Sequence, residues 1–308
     1  MTLEYSTILM VALKAIPCLD MKDEDCRKVA RAQKLLPRDE KELLDAIMPS
    51  VINLYGRENL DDEEEIVYAK SILWDALDYL MFLQRSGIEV VGCLDPLYPK
   101  QLRYLEDFPV LLYVKGNVSL LGNPDRLAIV GTREPSQYGK KVARRLGAYF
   151  AEKGFTVVSG LAKGCDTEAH WGCIEAGGKT VAVLAHGLDM VYPEENADLA
   201  KAIIAKGGCL VSEYIPPDQP SPQTIIERDR IQAALAKGVI VVESETHSGA
   251  MHTARFALQL VRKLGCMGYY REVPEAKMAG NNELVDSGEA VRLVDAQDME
   301  EFFKEIIW

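Results

Sequence analysis

Long apolar runs are missing from this sequence: nothing in its 308 residues approaches the ~18 consecutive apolar residues that cross a bilayer as a helix. A secretory leader is missing as well. Acidic Glu4 stands at the start, Lys14 is the only base nearby, and no small-residue cleavage site follows, which predicts a cytoplasmic chain. Cysteine pairs at metal spacing do not occur. The seven cysteines, at positions 18, 26, 93, 165, 173, 209 and 266, are scattered, odd in number and never spaced as Cys-x-x-Cys. That excludes a disulfide scaffold and fits buried thiols in a reducing compartment. Histidine is scarce, and His247 and His252 are five apart, off the register that puts two ligands on one helical face. Ser159 sits in Val-Ser-Gly-Leu and not in a G-x-S-x-G elbow, and no Walker loop is present. These absences predict no catalytic nucleophile, no metal and no cofactor. Positive charge is also short: 35 Lys+Arg against 47 Asp+Glu give a net charge of −12, so no broad cationic face is expected.

What is present is ordinary globular composition, with 48% hydrophobic and 27% charged residues. The length suits two domains, or one large domain with an appendage. Charge is unevenly spread. Residues 1–85 hold 11 basic and 17 acidic side chains, including Asp61-Asp62-Glu63-Glu64-Glu65, whereas residues 126–263 hold 17 basic and 15 acidic. A local basic cleft inside an acidic protein is therefore permitted.

Apolar residues recur at helical spacing through the first 84 residues: Leu3, Ile8, Leu9, Ala12, Leu13 and Ile16 before Pro17, then Leu43 to Leu54 around Pro49, then Ile66 to Leu80. Residues 1–84 read as a small helical domain. From Ser86-Gly87 the texture changes, and residues 85–308 read as a second domain in which strand and helix alternate. Predicted strands are Leu127–Gly131, Phe155–Gly160, Thr180–Ala185, Cys209–Tyr214, Val239–Glu243 and Met267–Tyr270. Predicted helices are Gly139–Lys153, Asp166–Ala176, Ala197–Lys206, Arg228–Ala236 and Ser248–Leu264. Strands such as VAVLA and VIVVE are apolar on both faces, as a sheet covered on both sides by helices requires. The fold class is α/β, a doubly wound, mostly parallel Rossmann-like sheet preceded by helices. The segments GIEVVGCL and AVRLV are candidate edge strands.

In such a sheet, ligands bind where strand C-termini meet helix N-termini. After the first strand comes Gly131-Thr132-Arg133-Glu134-Pro135-Ser136, with Arg133 where the dinucleotide fingerprint has glycine. Its guanidinium fork suits an anion, or a neighbouring carboxylate. After the second, Gly160-Leu161-Ala162-Lys163-Gly164-Cys165-Asp166 offers two glycines, one cation and a carboxylate read as the next N-cap. His186-Gly187-Leu188-Asp189, Tyr192-Pro193 and Asn196 form a candidate rim. Arg228 and Arg230 are expected to open a helix, where two cations oppose the dipole unless an anion or carboxylate is near. Ser248, Gly249 and Thr253 begin another helix with hydroxyls and free N–H groups suited to phosphate. Together Gly131, Thr132, Arg133, Ser136, Gly160, Lys163, Gly164, Arg228, Arg230, Ser248 and Gly249 read as a polyanion site on one sheet edge. A site for a nucleotide or nucleotide derivative, and an interaction protein with a disused pocket, are the alternatives.

In order along the chain, Asp95-Pro96-Leu97-Tyr98-Pro99-Lys100, Phe108-Pro109-Val110-Leu111-Leu112-Tyr113-Val114-Lys115-Gly116, Ala128-Ile129-Val130-Gly131-Thr132-Arg133, Ser159-Gly160-Leu161-Ala162-Lys163-Gly164-Cys165-Asp166, Val211-Ser212-Glu213-Tyr214, Arg228-Asp229-Arg230-Ile231 and Val241-Val242-Glu243 resemble the DNA processing protein A family (DprA, also called Smf). The match covers roughly residues 90–290. The resemblance implies an extended Rossmann-like domain that binds single-stranded DNA without bond chemistry, dimerises, and loads the RecA recombinase during natural transformation. It maps the family's basic pocket onto Arg133, Lys163, Arg228 and Arg230. Several departures stand out, among them Val273-Pro274-Glu275 where the family has a Val-Pro-Gly turn. Ile225-Ile226 replace the family's Phe-Pro, so base stacking is lost, and Asp229 replaces the Asn between the two arginines. Many members append a winged-helix domain, and none is expected here before the sequence ends at Trp308. The fold is also similar to that of the cytokinin-activating phosphoribohydrolases, but Glu243–Gly249 lacks their Pro-Gly-Gly-x-Gly-Thr loop.

Overall fold

A computed structural model describes residues 4–15, 21–32, 37–55, 62–269 and 274–307. Leu3, Ile16, Pro17, Asp61, Tyr270 and Val273, and the side chains of Ile52 and Leu54, lie outside this description. The chain forms two compact units: residues 1–98 with 106–114, and residues 99–105 with 115–308.

The first unit contains helices α1 (Tyr5–Ala15), α2 (Asp23–Ala32), α3 (Glu40–Tyr55) and α4 (Asp62–Arg85), followed by strand β1 (Ile88–Gly92) and the first four residues of β2 (Leu111–Gly116). α1 is apolar nearly all round, as a helix enclosed on every side must be, and Ser6 through Leu13 are buried. Its buried Thr7 hydroxyl finds partners: Oγ1 donates to Asp95 Oδ2 at 2.8 Å and accepts from the Gly92 N–H at 3.2 Å. The acidic run opens α4, the end where a helix dipole favours negative charge.

The second unit is built from β3 (Arg126–Val130), α5 (Gln137–Glu152), β4 (Thr156–Ser159), α6 (Cys165–Glu175), β5 (Thr180–Leu184), α7 (Ala197–Ala205), β6 (Cys209–Ser212), α8 (Pro222–Leu235), β7 (Gly238–Val241), α9 (Gly249–Gln259), β8 (Lys263–Met267), α10 (Glu275–Asp286), β9 (Val291–Leu293) and α11 (Ala296–Ile306). Seven strands run in the order β6-β5-β4-β3-β7-β8-β9. Each pair from β6 to β9 is parallel. Chain order runs outward from β3 in one direction through β6 and resumes on its other side at β7, so the topological switch point lies between β3 and β7. β3, β4, β5 and β7 are buried along their whole length, which is why their sequences are apolar without alternation.

α5 and α6 cross unusually closely. A Cβ on Gly172 would sit 1.8 Å from the Arg144 carbonyl oxygen, and one on Gly147 would sit 2.1 Å from that of Ala169. Only glycine at both positions allows this approach.

Two element boundaries correct the sequence reading. α8 begins at Pro222 and not at Arg228: Ser221 caps it in a reciprocal pair with Thr224, and Pro222 takes the first turn. α9 ends at Gln259, and residues 263–267, read as helix as far as Leu264, form β8. The usual stop signal is glycine, but here Val261 takes the left-handed conformation at φ 54° while 91% exposed. The predicted strand Met267–Tyr270 is accordingly β8, shifted toward the N-terminus, and AVRLV supplies β9.

Candidate nucleic-acid interface

The switch point opens a crevice of about 410 Å³ at the C-terminal ends of β3 and β7. One wall is the loop after β3, held by a side chain that the sequence reading treated only as a strand end. Glu243, fully buried, accepts from the Ser136 N–H at 2.7 Å and from Ser136 Oγ at 2.5 Å, and its carbonyl takes the Thr132 N–H at 2.7 Å. Ser136 Oγ in turn accepts from the Gly139 N–H at 2.9 Å and caps α5. The Ser136 hydroxyl is thus engaged inside the protein. Gly139 is glycine because a Cβ there would meet the Glu243 carboxylate at 2.3 Å.

The loop after β4 abuts the first. Gly164 has φ 81°, and a Cβ on it would lie 2.5 Å from the Thr132 carbonyl oxygen. Asp166 does not cap α6, as the sequence suggested. Gly164 is the cap residue, and Asp166 Oδ2 reaches back to accept from the Gly160 N–H at 3.0 Å. Burial pushes the Asp166 carboxyl up to about 6, against the pull of Arg228. Leu161 stands at φ 58° in this loop; Asn196 Nδ2 donates to its carbonyl at 2.7 Å and to Thr167 Oγ1 at 3.0 Å. Cys165 is buried, and desolvation raises its thiol pKa well above the ordinary value, so it is an inert packing group.

Because α8 starts six residues early, its arginines lie mid-helix and not at an N-terminus. Arg228 is 6% exposed. Its Nη1 donates to the carbonyls of Gly160, at 2.7 Å, and of Val183, and its Nε donates to Asp229 Oδ1 at 3.0 Å. Gly160 leaves room for that guanidinium, since a Cβ would come within 2.4 Å of Nη1. Asp229 is likewise lifted by burial to about 6, with Arg228 opposing. Two residues on, Arg230 points to another side of the helix, where Nη2 donates to Glu213 Oε2 at 2.7 Å with both side chains about one-tenth exposed.

The eleven predicted site residues therefore divide. Gly131, Thr132, Arg133, Arg228, Ser248 and Gly249 line the crevice. Gly160, Lys163, Arg133 and Arg228 line a smaller adjoining cavity of about 60 Å³, rimmed by His186, Tyr192 and Pro193. Arg230, Ser136 and Gly164 line neither. Lys163 pairs with Glu195, both about half-exposed, so this is a weak pair that salt screens. Arg133 is exposed at the mouth of both cavities and makes no ion pair or hydrogen bond to another described residue. Gly249 opens α9 with nothing within 4 Å of its Cβ position, and Ser248 places no side-chain cap on that helix start. Ile225 is half-buried and lines both cavities. Among the described residues no group of His, Cys, Asp and Glu could hold a metal ion, and no helix is long and apolar enough to cross a membrane.

The family model for DNA recombination-mediator protein A matches residues 89–304. The chain belongs to that family. The curated family protein DprA of Bacillus subtilis (strain 168) is 38% identical over 181 residues, 59% of this chain and 61% of the relative, so the chain matches about three-fifths of that relative's length. The X-ray structure of DNA processing protein A from Streptococcus pneumoniae superposes with a TM-score of 0.72 at 28% identity, covering 98% of each chain. The family protein of Helicobacter pylori, which binds single-stranded DNA, superposes with a TM-score of 0.63 at 29% identity over 71% of this chain and 96% of that one. The Rossmann-like class read from the sequence is that of the family.

Proposed function

We propose that this family member binds single-stranded DNA along the rim where β3, β4 and β7 end, without making or breaking bonds. One observation carries the reading: Arg133, which makes no hydrogen bond or ion pair to another described residue, stands at the mouth of the switch-point crevice beside the start of α9, which has no side-chain cap. A guanidinium and a helix N-terminus together favour phosphate oxygens. Lys163 adds a second cation that exchanges Glu195 for a phosphate. Arg228 supports the floor from beneath. The helical unit, residues 1–98 with 106–114, is accessory to the unit of residues 99–105 with 115–308, which carries the site. The reading extends to a cytoplasmic homodimer that delivers the strand to the RecA recombinase in recombination and natural transformation.

Fluorescence anisotropy with labelled single- and double-stranded oligonucleotides across a salt series tests it. Single strands are expected to bind more tightly. With two rim cations, the slope of log affinity against log salt is expected near −1.4, at roughly 0.7 per neutralised phosphate. Saturable binding of mononucleotides without binding of oligonucleotides would favour a small-ligand site and sink the proposal.

A further inference from the structure

We infer that a second copy of this chain docks on the outward face of α4, the two helices lying antiparallel about a twofold axis that passes beside Trp74. The inference is independent of strand binding and gives self-association a face on the helical unit.

Exposure is the first argument. α4 turns Ala69, Ile72, Ala76, Leu80 and Leu83 into the core of its unit. The opposite side of a surface helix is ordinarily polar. Here Val67 is 68% exposed, Trp74 66% and Met81 38%. Single exposed apolar residues need no explanation, but these three recur every seven residues, the spacing that keeps a row of side chains facing another helix.

Charge is the second, and it selects the occupant. At about 100° per residue, the side chains within about 40° of the Trp74 direction are Glu63, Val67, Lys70, Trp74, Asp78, Met81 and Arg85. All of them are exposed. The spacing is the same read from either end, with Trp74 at the centre and apolar residues placed symmetrically about it. The charges invert: each acidic position on one side of Trp74 is matched by a basic position on the other. Turned end for end, a second copy therefore sets its Arg85 against Glu63, its Met81 against Val67 and its Asp78 against Lys70, with one Trp74 beside the other. That is the self-complementarity an isologous interface requires. A parallel pair would set each charge against its own kind, which costs affinity.

The helix itself leaves these charges unpaired. Lys70 and Asp78 lie about 12 Å apart along the axis, and neither has an opposite charge three or four residues away, the spacing at which helix charges meet. Each gains a partner in the antiparallel pair. One helix face buries less than a standard protein–protein interface, so the contact is reversible and depends on concentration.

Sedimentation velocity of the full chain from micromolar to ~200 μM covers the range expected of so small an interface. Circular dichroism checks that each variant, altered only at exposed positions, is folded. Trp74→Ser is expected to weaken association at least about tenfold, as loss of a central aromatic does. Lys70→Glu and Asp78→Lys each turn two attractions into repulsions by symmetry, and each is expected to weaken it at least about fivefold. Mixed in equal amounts, these two variants are expected to associate within about twofold of the parent, because the acidic positions of one then meet the basic positions of the other. An association that Trp74→Ser leaves unchanged belongs to another face: the homodimer then stands and the α4 interface falls. Charge variants that associate as the parent does, or that fail to rescue each other when mixed, overturn the antiparallel pairing. A parent that is monomeric throughout overturns the interface and the homodimer together. Strand binding is read separately by the anisotropy titrations and survives any of these results.

Discussion

Arg228 is the residue whose removal separates a structural cation from a DNA ligand. In Arg228→Ala the carbonyls of Gly160 and Val183 lose their donor, and Asp229 and Asp166 lose the one guanidinium buried among them. Removing one member of a buried ion pair typically costs about 3–5 kcal/mol, because the remaining charge has neither water nor partner. The structure places this case within that range: Arg228 and Asp229 are 6% and 4% exposed, and two further carbonyl acceptors go unmet. The deficit depends on pH in a defined direction. Without the cation both carboxyls rise further above about 6, so the folded variant takes up protons at higher pH than the folded parent. Its disadvantage is therefore largest near pH 8 and shrinks toward pH 5. Urea unfolding followed by far-UV circular dichroism at both pH values measures this directly. Arg228→Ala combined with Asp229→Asn removes one stranded charge and is expected to recover part of the loss. An Arg228→Ala variant that lowers single-strand affinity while moving the unfolding free energy by less than about 1 kcal/mol would refute the structural role, since that is how an exposed phosphate contact behaves.

Four further outcomes are expected. Arg133→Ala is expected to leave folding unchanged within about 0.5 kcal/mol, weaken single-strand binding across all sequences, and flatten the salt slope from about −1.4 to about −0.7; a slope that stays put would mean the phosphate lies elsewhere. Ile225→Phe restores an aromatic surface beside both cavities, and at ~1–3 kcal/mol per stacked base it is expected to tighten oligonucleotide binding at least about fivefold in the same anisotropy titration. Asp166→Asn tests the raised carboxyl. A folded-state value of about 6 against an ordinary 3.8 gives stability that is full below 3.8 and lost as pH rises through 6, so between about pH 7.5 and pH 5 the parent should gain on the order of 1 kcal/mol on the variant. His170, held by burial down to about 3, contributes with the opposite sign in both proteins and cancels in that difference. Gly172→Ala would set a methyl 1.8 Å from a fixed carbonyl oxygen of α5, and thermal or urea unfolding should show a loss of at least about 2 kcal/mol.

The sheet was legible because burial on both faces leaves a plain mark: VAVLA and VIVVE have no polar alternation, and β5 and β7 lie where those runs lie. The glycine-rich turns after β3 and β4 were legible as close approaches. What each turn approaches was not. Gly160 makes room for Arg228, Gly164 for the backbone of residue 132 and Gly139 for Glu243, partners that stand 68, 32 and 104 residues away in the chain. No local pattern encodes contacts at that separation. The start of α8 was missed for a local reason, since Ser221-Pro222 is a regular cap and first turn but the following Gln-Thr-Ile-Ile shows no helical period. Arg228 and Arg230 therefore lie a turn and a half or more inside α8 and not at its start. The end of α9 was missed because a β-branched valine does what glycine usually does.

Counting charges along the chain treats every cation as available, and burial shows otherwise. Arg126 is fully buried at the start of β3, donating to the carbonyls of Leu235, Leu120 and Leu121 and to Gln101, with desolvation pulling its guanidinium down to about 10. Arg228 serves the same kind of role at the opposite end of the sheet. Both staple carbonyls that helices and strands leave unpaired at their ends, a task to which a five-donor fork is better suited than a lysine. The small positive balance of residues 126–263 therefore overstates what a phosphate meets. With Arg126, Arg228 and Arg230 turned inward to carbonyls and carboxylates, the rim is left with Arg133 and a lysine on loan from Glu195. An acidic protein can still hold a polyanion on these terms, because over a Debye length of about 8 Å the strand senses the two rim cations and a helix start more than the total charge. On the proposed single-strand reading, the same sparseness makes backbone attraction alone a weak grip, so contacts other than phosphate pairing have to carry a larger share of the affinity than in a protein with a strongly basic groove.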